Sequence, residues 1–365
     1  MRDFLGVYIH IPFCSSICSY CDFCKIYYDS RYLTQYLDSL EFEIKSRYKG
    51  EKVNSIYIGG GTPTCLGYQE LERLLDMTNL FNKSDKLEFT IESNVESLDD
   101  RKIEILNKYN VNRISLGVQS FDDDCLRVLN RKHSKEMVTN VIRKLKTNGL
   151  TNINIDIIYG IIDDVNVVSE DINYFLRLDV PHISCYSLII ENNTILGVNN
   201  YKNIDDNIEY NQYRLINDLL SRNGYIQYEI SNYSRKGYKS LHNLNYWDNG
   251  NYYGFGLSSV SFIGDYRISN TKNLTKYIKK EYIEDSIFED KDIKMSNTMI
   301  LGLRKVEGVS EDSFYNIYKE KIEDVFEIDS LLLEGKLIKE NGYIRIGDKY
   351  LYLSNDILLN FLERK

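Results

Sequence analysis

The 365-residue sequence predicts an α/β fold: a parallel (β/α) barrel, whole or partial, followed by a small C-terminal domain of helices and short strands. Three observations carry this. Short β-branched runs alternate with amphipathic helical stretches from Val7 onward, and six such units stand in series. Cysteine, glycine and acidic residues recur where the strand candidates end, and in a parallel barrel those ends open onto one face. The length suits a barrel of ~200 to 250 residues with an appendage.

The strand candidates are Val7 to Ile11, Ser55 to Ile58, Leu87 to Ile91, Arg113 to Leu116, Ile153 to Ile158 and His182 to Leu188. Between the first two, Leu33, Leu37, Leu40 and Ile44 fall at helical spacing. Met137, Val141 and Leu145 do the same before Gly149, and Ile208, Ile216 and Leu219 before Gly224. Beyond about Asp290 helical patterns (Met295 to Leu303, Ser310 to Tyr318) alternate with short segments such as Tyr343 to Ile346. The expected domains are 1–235 for the barrel, 236–289 for a connecting segment and 290–365 for the C-terminal unit. With no low-complexity linker before it, that unit is expected to pack on the barrel and cover part of its open face.

Cys14-Ser-Ser-Ile-Cys18-Ser-Tyr-Cys21 follows the first strand candidate. Three thiolates in this C-x3-C-x2-C spacing can hold three irons of a [4Fe–4S] cube and leave the fourth open to a chelating ligand. A structural zinc would ask for a second Cys/His pair, and none stands at such spacing. Gly59-Gly-Gly-Thr62-Pro63 follows the second strand and is expected to bare backbone amides toward a ligand; a plain tight turn is the other reading. Glu92 ends the third strand, either as a solvated rim carboxylate or as a ligand contact. Gln119 follows the fourth. Asp156, among isoleucines in the fifth, needs a partner to be buried. Arg131 is read as a fork for a carboxylate or as a rim salt bridge. His242, in His242-Asn-Leu-Asn-Tyr-Trp247, is read from its residues as a hydrogen-bonded member of an aromatic wall.

Tyr8-x-His10-Ile-Pro-Phe-Cys14, the cysteine run and Cys21-Asp-Phe23 resemble the radical S-adenosylmethionine (SAM) superfamily. The branch resembled contains oxygen-independent coproporphyrinogen III oxidase and the HemW-type heme chaperones. The resemblance implies a six-unit, partly open radical SAM barrel with a helical or winged-helix-like C-terminal domain. It implies Cys14, Cys18 and Cys21 as ligands of the [4Fe–4S] cluster, and Tyr8, Tyr20, Gly60, Gly61, Thr62, Glu92, Gln119, Arg131 and Asp156 as SAM contacts, with His242 toward heme. Oxidases of the branch carry a further cysteine two places after the third ligand, where this chain has Phe23. That difference, with His-Asn-x-x-Tyr-Trp, points to a carrier of heme or porphyrin for hemoprotein recipients rather than to the oxidase or to a heme-degrading methyltransferase. A flavodoxin or ferredoxin is the implied electron donor. The chain departs from the branch at Cys24, at Gly160-Ile-Ile162 and at Leu257-Ser-Ser-Val-Ser261, where relatives carry a histidine.

With 45 basic against 54 acidic residues and no run of five like charges, a nucleic-acid partner is unsupported. Met1 to Gly6 leads straight into a strand without a cleavage pattern, and no apolar run of about 18 residues occurs, so a cytoplasmic protein is expected. Seven cysteines, an odd number, suit a reducing compartment and a metal centre. Cys65, Cys125 and Cys185 are expected as plain buried thiols, and Cys24 as incidental.

Overall fold

In the computed structural model, which describes residues 4–362, the six β-branched runs form parallel strands paired in chain order. They are β1 (Gly6–Ile11), β2 (Lys52–Gly60), β3 (Asn82–Asn94), β4 (Arg113–Gln119), β5 (Ile153–Tyr159) and β6 (His182–Ser187). Met1 to Asp3, the start of the stretch expected to run straight into the first strand, lie outside the described residues. β3 begins five residues before the expected Leu87, because Lys83, Asp85 and Lys86 break the apolar pattern there.

Helices α1 (Ser30–Arg47), α2 (Tyr68–Met77), α3 (Asp100–Lys108), α4 (Lys135–Thr147), α5 (Val165–Leu178) and α6 (Asp206–Arg222) follow the strands in turn. Asp29, Asp99, Ser134, Asp164 and Asp205 cap five of them by accepting from first-turn amides. In α4 the buried face is Val138, Val141, Ile142 and Leu145. Met137, expected inside, is 40% exposed, so the stripe is turned by one residue.

Alternate residues of each strand serve two different environments. One set, including Val7, Ile9, Ile56, Ile58, Ile114, Leu116, Ile153 and Ile155, packs with the helices into one apolar cluster. The other set is polar, with Tyr8, His10, Ser55, Tyr57, Glu92, Ser115, Asp156 and His182. A (β/α) barrel usually fills its interior with branched apolar layers. Here the interior is joined by hydrogen bonds, which buried polar groups require.

The barrel does not close. β1 pairs on its far side with β9 (Tyr252–Phe255), which is followed by antiparallel β10 (Val260–Ile263), β11 (Tyr266–Asn270) and β12 (Ile283–Phe288). β6 pairs with β8 (Asn232–Ser234), and β8 with β7 (Ile226–Gln227). The twelve-stranded order is β12-β11-β10-β9-β1-β2-β3-β4-β5-β6-β8-β7. The 236–289 stretch, expected as a connector, therefore supplies four strands of this sheet and helix α7 (Leu241–Trp247).

A second apolar cluster runs from Met295 to Phe361. Its order is helix α8 (Lys291–Gly302), β13 (Val309–Ser310), α9 (Glu311–Tyr318), α10 (Asp329–Leu333), β14 (Leu337–Glu340) and β15 (Tyr343–Ile346), with sheet order β13-β15-β14. That is the connectivity of a winged helix. It is tied to the barrel by Ile230 N to Arg304 O and Val306 N to Tyr228 O, both 3.1 Å, and by Tyr352, whose hydroxyl donates to Glu209 at 3.0 Å. Among the described residues no helix is long and apolar enough to cross a membrane.

Candidate functional site at the mouth of the barrel

The chain leaves β1 at Pro12, and the cysteine loop is pinned at both ends by backbone bonds from Ile26 N to Pro12 O and from Tyr28 N to Cys14 O, each 2.8 Å. Its middle is held by Ser19, which donates through Oγ to Val128 O at 2.6 Å, and by Asn130, whose Nδ2 donates to Ile17 O at 2.8 Å. All seven cysteines are free thiols. Cys14 is buried, and burial pushes its thiol up to about 11, with the neighbouring Cys21 and Cys18 adding to the rise. Burial also raises Cys21, and Cys18 contributes there too. Each of the three sulfurs is thus within reach of the others' charge.

Two of them receive donors. Thr62 Oγ1 lies 3.8 Å from Cys14 Sγ, and Arg131 Nη1 lies 3.5 Å from Cys18 Sγ. Asn94 joins those donors, its Nδ2 bonding to Thr62 Oγ1 and its Oδ1 accepting from Arg131 Nη1, both at 2.9 Å. Arg131 Nη2 donates to Gly117 O at 2.7 Å and lies 3.7 Å from Glu96. Both terminal nitrogens of the expected fork are thus bonded to protein, and Nε alone has no partner.

The glycine triplet works differently from expectation. Gly60 N donates to Glu92 Oε2 at 2.9 Å and Gly61 N to Ile11 O at 2.8 Å, so neither amide is bare. What the triplet permits is close approach. A Cβ on Gly59 would stand 2.7 Å from the Glu92 carboxyl, on Gly60 2.5 Å from the His10 ring, and on Gly61 2.6 Å from Phe13 O and 2.9 Å from Cys14 Sγ.

Glu92 is not a solvated rim carboxylate. It accepts from Tyr57 OH at 2.9 Å as well as from Gly60, and burial lifts it to about 7, with the charge of Asp156 adding. Asp156 is raised by burial and accepts from Asn154 at 2.7 Å and Ser115 at 3.3 Å. Both carboxylates remain partly open to the lumen. Gln119, at the end of β4, adopts φ 74°, the left-handed region, beside a register shift at Gly117; such strain in a non-glycine residue collects at functional sites. Tyr8 OH meets His10 Nδ1 at 2.9 Å, and Tyr20 packs by the Cys125–Leu129 cluster with its hydroxyl raised by burial and by Cys18.

His242 lies elsewhere, on the floor of the lumen. It is 1% exposed, its Nδ1 meets Ser55 Oγ at 2.8 Å and its Nε2 meets Tyr246 OH at 2.9 Å. Glu88 caps its helix by accepting from Leu241 N at 2.8 Å and His242 N at 2.9 Å. The expected heme contact finds no free ring nitrogen; the aromatic-wall alternative describes what is seen, with Tyr57 stacked at 5.1 Å. Cys24, expected as incidental, lines a cavity of about 400 Å³ with Phe23, Tyr246, Trp247 and Tyr252. Cys65 is half-buried rather than buried, with its thiol donating to Phe13 O at 3.4 Å.

Two lumen residues escaped the sequence reading. Asn94 was passed over beside Glu92, although period-2 alternation puts both on one face. Arg113 was read only as a strand start, yet it is 2% exposed, its Nε has no partner, and its charge acts on Glu92, Asp156 and His182.

A family model described as the radical SAM superfamily matches residues 8–168. The chain is 37% identical over 370 residues to a protein named heme chaperone HemW from Lactococcus lactis, covering 98% of this chain and 97% of that one. It is 35% identical to the protein of the same name from Bacillus subtilis, covering 96% and 95%. Its fold is similar to that of coproporphyrinogen III oxidase (HemN) from Escherichia coli, with a TM-score of 0.86 at 22% identity over 98% of this chain and 89% of that one.

Proposed function

The chain belongs to the radical SAM superfamily, among the HemW-type proteins, and from that premise we propose that it is a heme chaperone that carries a [4Fe–4S] cluster and SAM and hands heme to hemoprotein partners. The donor set fits the cluster. Three soft sulfurs lie on one loop, two of them next to hydrogen-bond donors, and thiolates are the ligands an iron–sulfur cluster takes. When bound, such a cluster supplies an iron without a protein ligand and an electron.

Cys14, Cys18 and Cys21 would hold it, and Thr62 and Arg131 would favour and orient the thiolates. Glu92 and Asp156 offer negative charge to a cationic amino group, with Tyr8, Tyr20, Gly60, Gly61, Gln119 and Arg131 completing the SAM wall. His242 serves by bracing that wall from below, through Ser55 and Tyr57. A flavodoxin or ferredoxin is the proposed reductant and the cytoplasm the proposed location.

The observation that carries this reading is the hydrogen-bonded chain Cys14, Thr62, Asn94, Arg131, Cys18, which makes two sulfurs part of one polar network around the glycine turn. The test is anaerobic: reconstituted protein is titrated with hemin, and in parallel given coproporphyrinogen III, SAM and a reductant. Heme binding without vinyl formation is expected. Rapid decarboxylation would overturn the carrier reading.

A further inference from the structure

The cavity of about 400 Å³ lies where the cysteine loop meets α7, the β9–β10 turn and α8. Its size falls within the ~300 to 1,000 Å³ of small-molecule sites. Rings of Tyr246, Trp247, Tyr252 and Phe23 line it, and Phe23, 66% exposed, forms its rim. Flat aromatic walls of this kind suit a macrocycle whose edge reaches solvent. The Trp247 indole N–H, though shielded, has no partner.

Few groups lining it could bind a metal. Both nitrogens of His10 are engaged, with Tyr8 OH at 2.9 Å and Cys24 O at 2.8 Å. The turn from β9 contributes Ser258, Ser259 and Val260, and no imidazole. The Tyr246 hydroxyl meets His242, and the Tyr252 hydroxyl accepts from Arg267. That leaves the thiol of Cys24 as the soft donor on the wall. Burial opposes its ionisation, while the Ser258 hydroxyl and the charges of Lys272 and Lys25 favour it.

We propose that this cavity is the heme site and that Cys24 Sγ is the ligand of the heme iron, an assignment that rests on the heme-chaperone reading above. On binding, the thiol proton passes to solvent, a sulfur lone pair forms the Fe–S bond in place of a water or hydroxide on ferric heme, and the iron keeps its oxidation state. Cys24 is then separate in role from Cys14, Cys18 and Cys21.

The cluster-loaded full chain and its Cys24→Ala, Cys24→Ser and Trp247→Leu variants are titrated with hemin and with iron-free protoporphyrin, and optical and EPR spectra are recorded. Wild type should show the signature of a thiolate-ligated ferric heme. Both cysteine variants should lose it and bind hemin at least about tenfold more weakly, since even outer partners of metal ligands are worth 10- to 100-fold, while protoporphyrin affinity and cluster absorbance stay unchanged. Trp247→Leu should weaken both ligands. An unchanged heme spectrum in Cys24→Ala and Cys24→Ser would place the ligand elsewhere and overturn the proposal while leaving the chaperone reading intact. Loss of cluster absorbance in both would assign Cys24 to the cluster and also overturn it. Failure of wild type to bind hemin at all would instead overturn the chaperone reading beneath it.

Discussion

On the floor of the barrel His242 and His182 spend both ring nitrogens on fixed partners, Ser55 and Tyr246 for one and Asn154 and Tyr228 for the other, whereas the mouth holds free thiols and carboxylates partly open to the lumen. The physical consequences differ in sign. Burial holds the two floor histidines neutral, His242 down to about 3, so they brace the strands without titrating near neutrality. At the mouth burial lifts Cys14 to about 11 and Glu92 to about 7, which stores unfavourable desolvation that a bound cation or metal centre would relieve. The floor is built for stability and the mouth for a ligand. Arg113, with an unpartnered Nε deep in the lumen, is the exception that links them, since its charge is felt at both levels.

That contrast can be broken at its joint by Gly60→Ala. The substituted position has φ 111° and would drive a methyl to within 2.5 Å of the His10 ring, so a loss of about 3 kcal/mol or more is expected in denaturant unfolding. A near-neutral result would mean that the mouth is loosely packed. His242→Ala sharpens the floor. It strands the Ser55 and Tyr246 hydroxyls and leaves a void, an expected cost of about 2 to 4 kcal/mol, with the heme spectrum unchanged; full stability with altered heme ligation would move His242 to the functional side.

The smallest effect expected is a pH dependence. The Glu92 carboxyl sits above its unfolded value, so the fold favours its protonated form. Stability of the metal-free protein is then highest below the unfolded pKa and falls as pH rises from about 4.5 toward about 7. Because the carboxylate is partly open, about 2 kcal/mol is expected rather than the full shift. Glu92→Gln should flatten that slope, and an identical slope in the variant would assign it to another group.

Much of the fold was legible because the helix-facing residues of each strand are β-branched and alternate cleanly, as in Ile153, Ile155 and Ile157. The lumen-facing set was legible only as places, at Glu92, Gln119 and Asp156, not as partnerships. His242 and Ser55 are 187 positions apart, and Ser240 meets Glu88 across 152, so no local pattern connects them. Polar spacing also misled at the glycine triplet, where the absence of side chains serves packing against Glu92, His10 and Cys14 rather than a bare amide. The 236–289 stretch read as a connector because its strands are short and antiparallel, without the helix that marks a parallel unit.

The central claim is that three sulfurs, and no fourth from the protein, hold an iron–sulfur cube at the mouth. Anaerobic reconstitution with iron and sulfide, followed by metal and sulfide analysis and EPR with and without SAM, tests it most directly. The account predicts a [4Fe–4S] signal that SAM perturbs, lost in each of Cys14→Ala, Cys18→Ala and Cys21→Ala and kept in Cys24→Ser and Cys65→Ser. A cluster that survives removal of one of the three, or that ignores SAM, would contradict it.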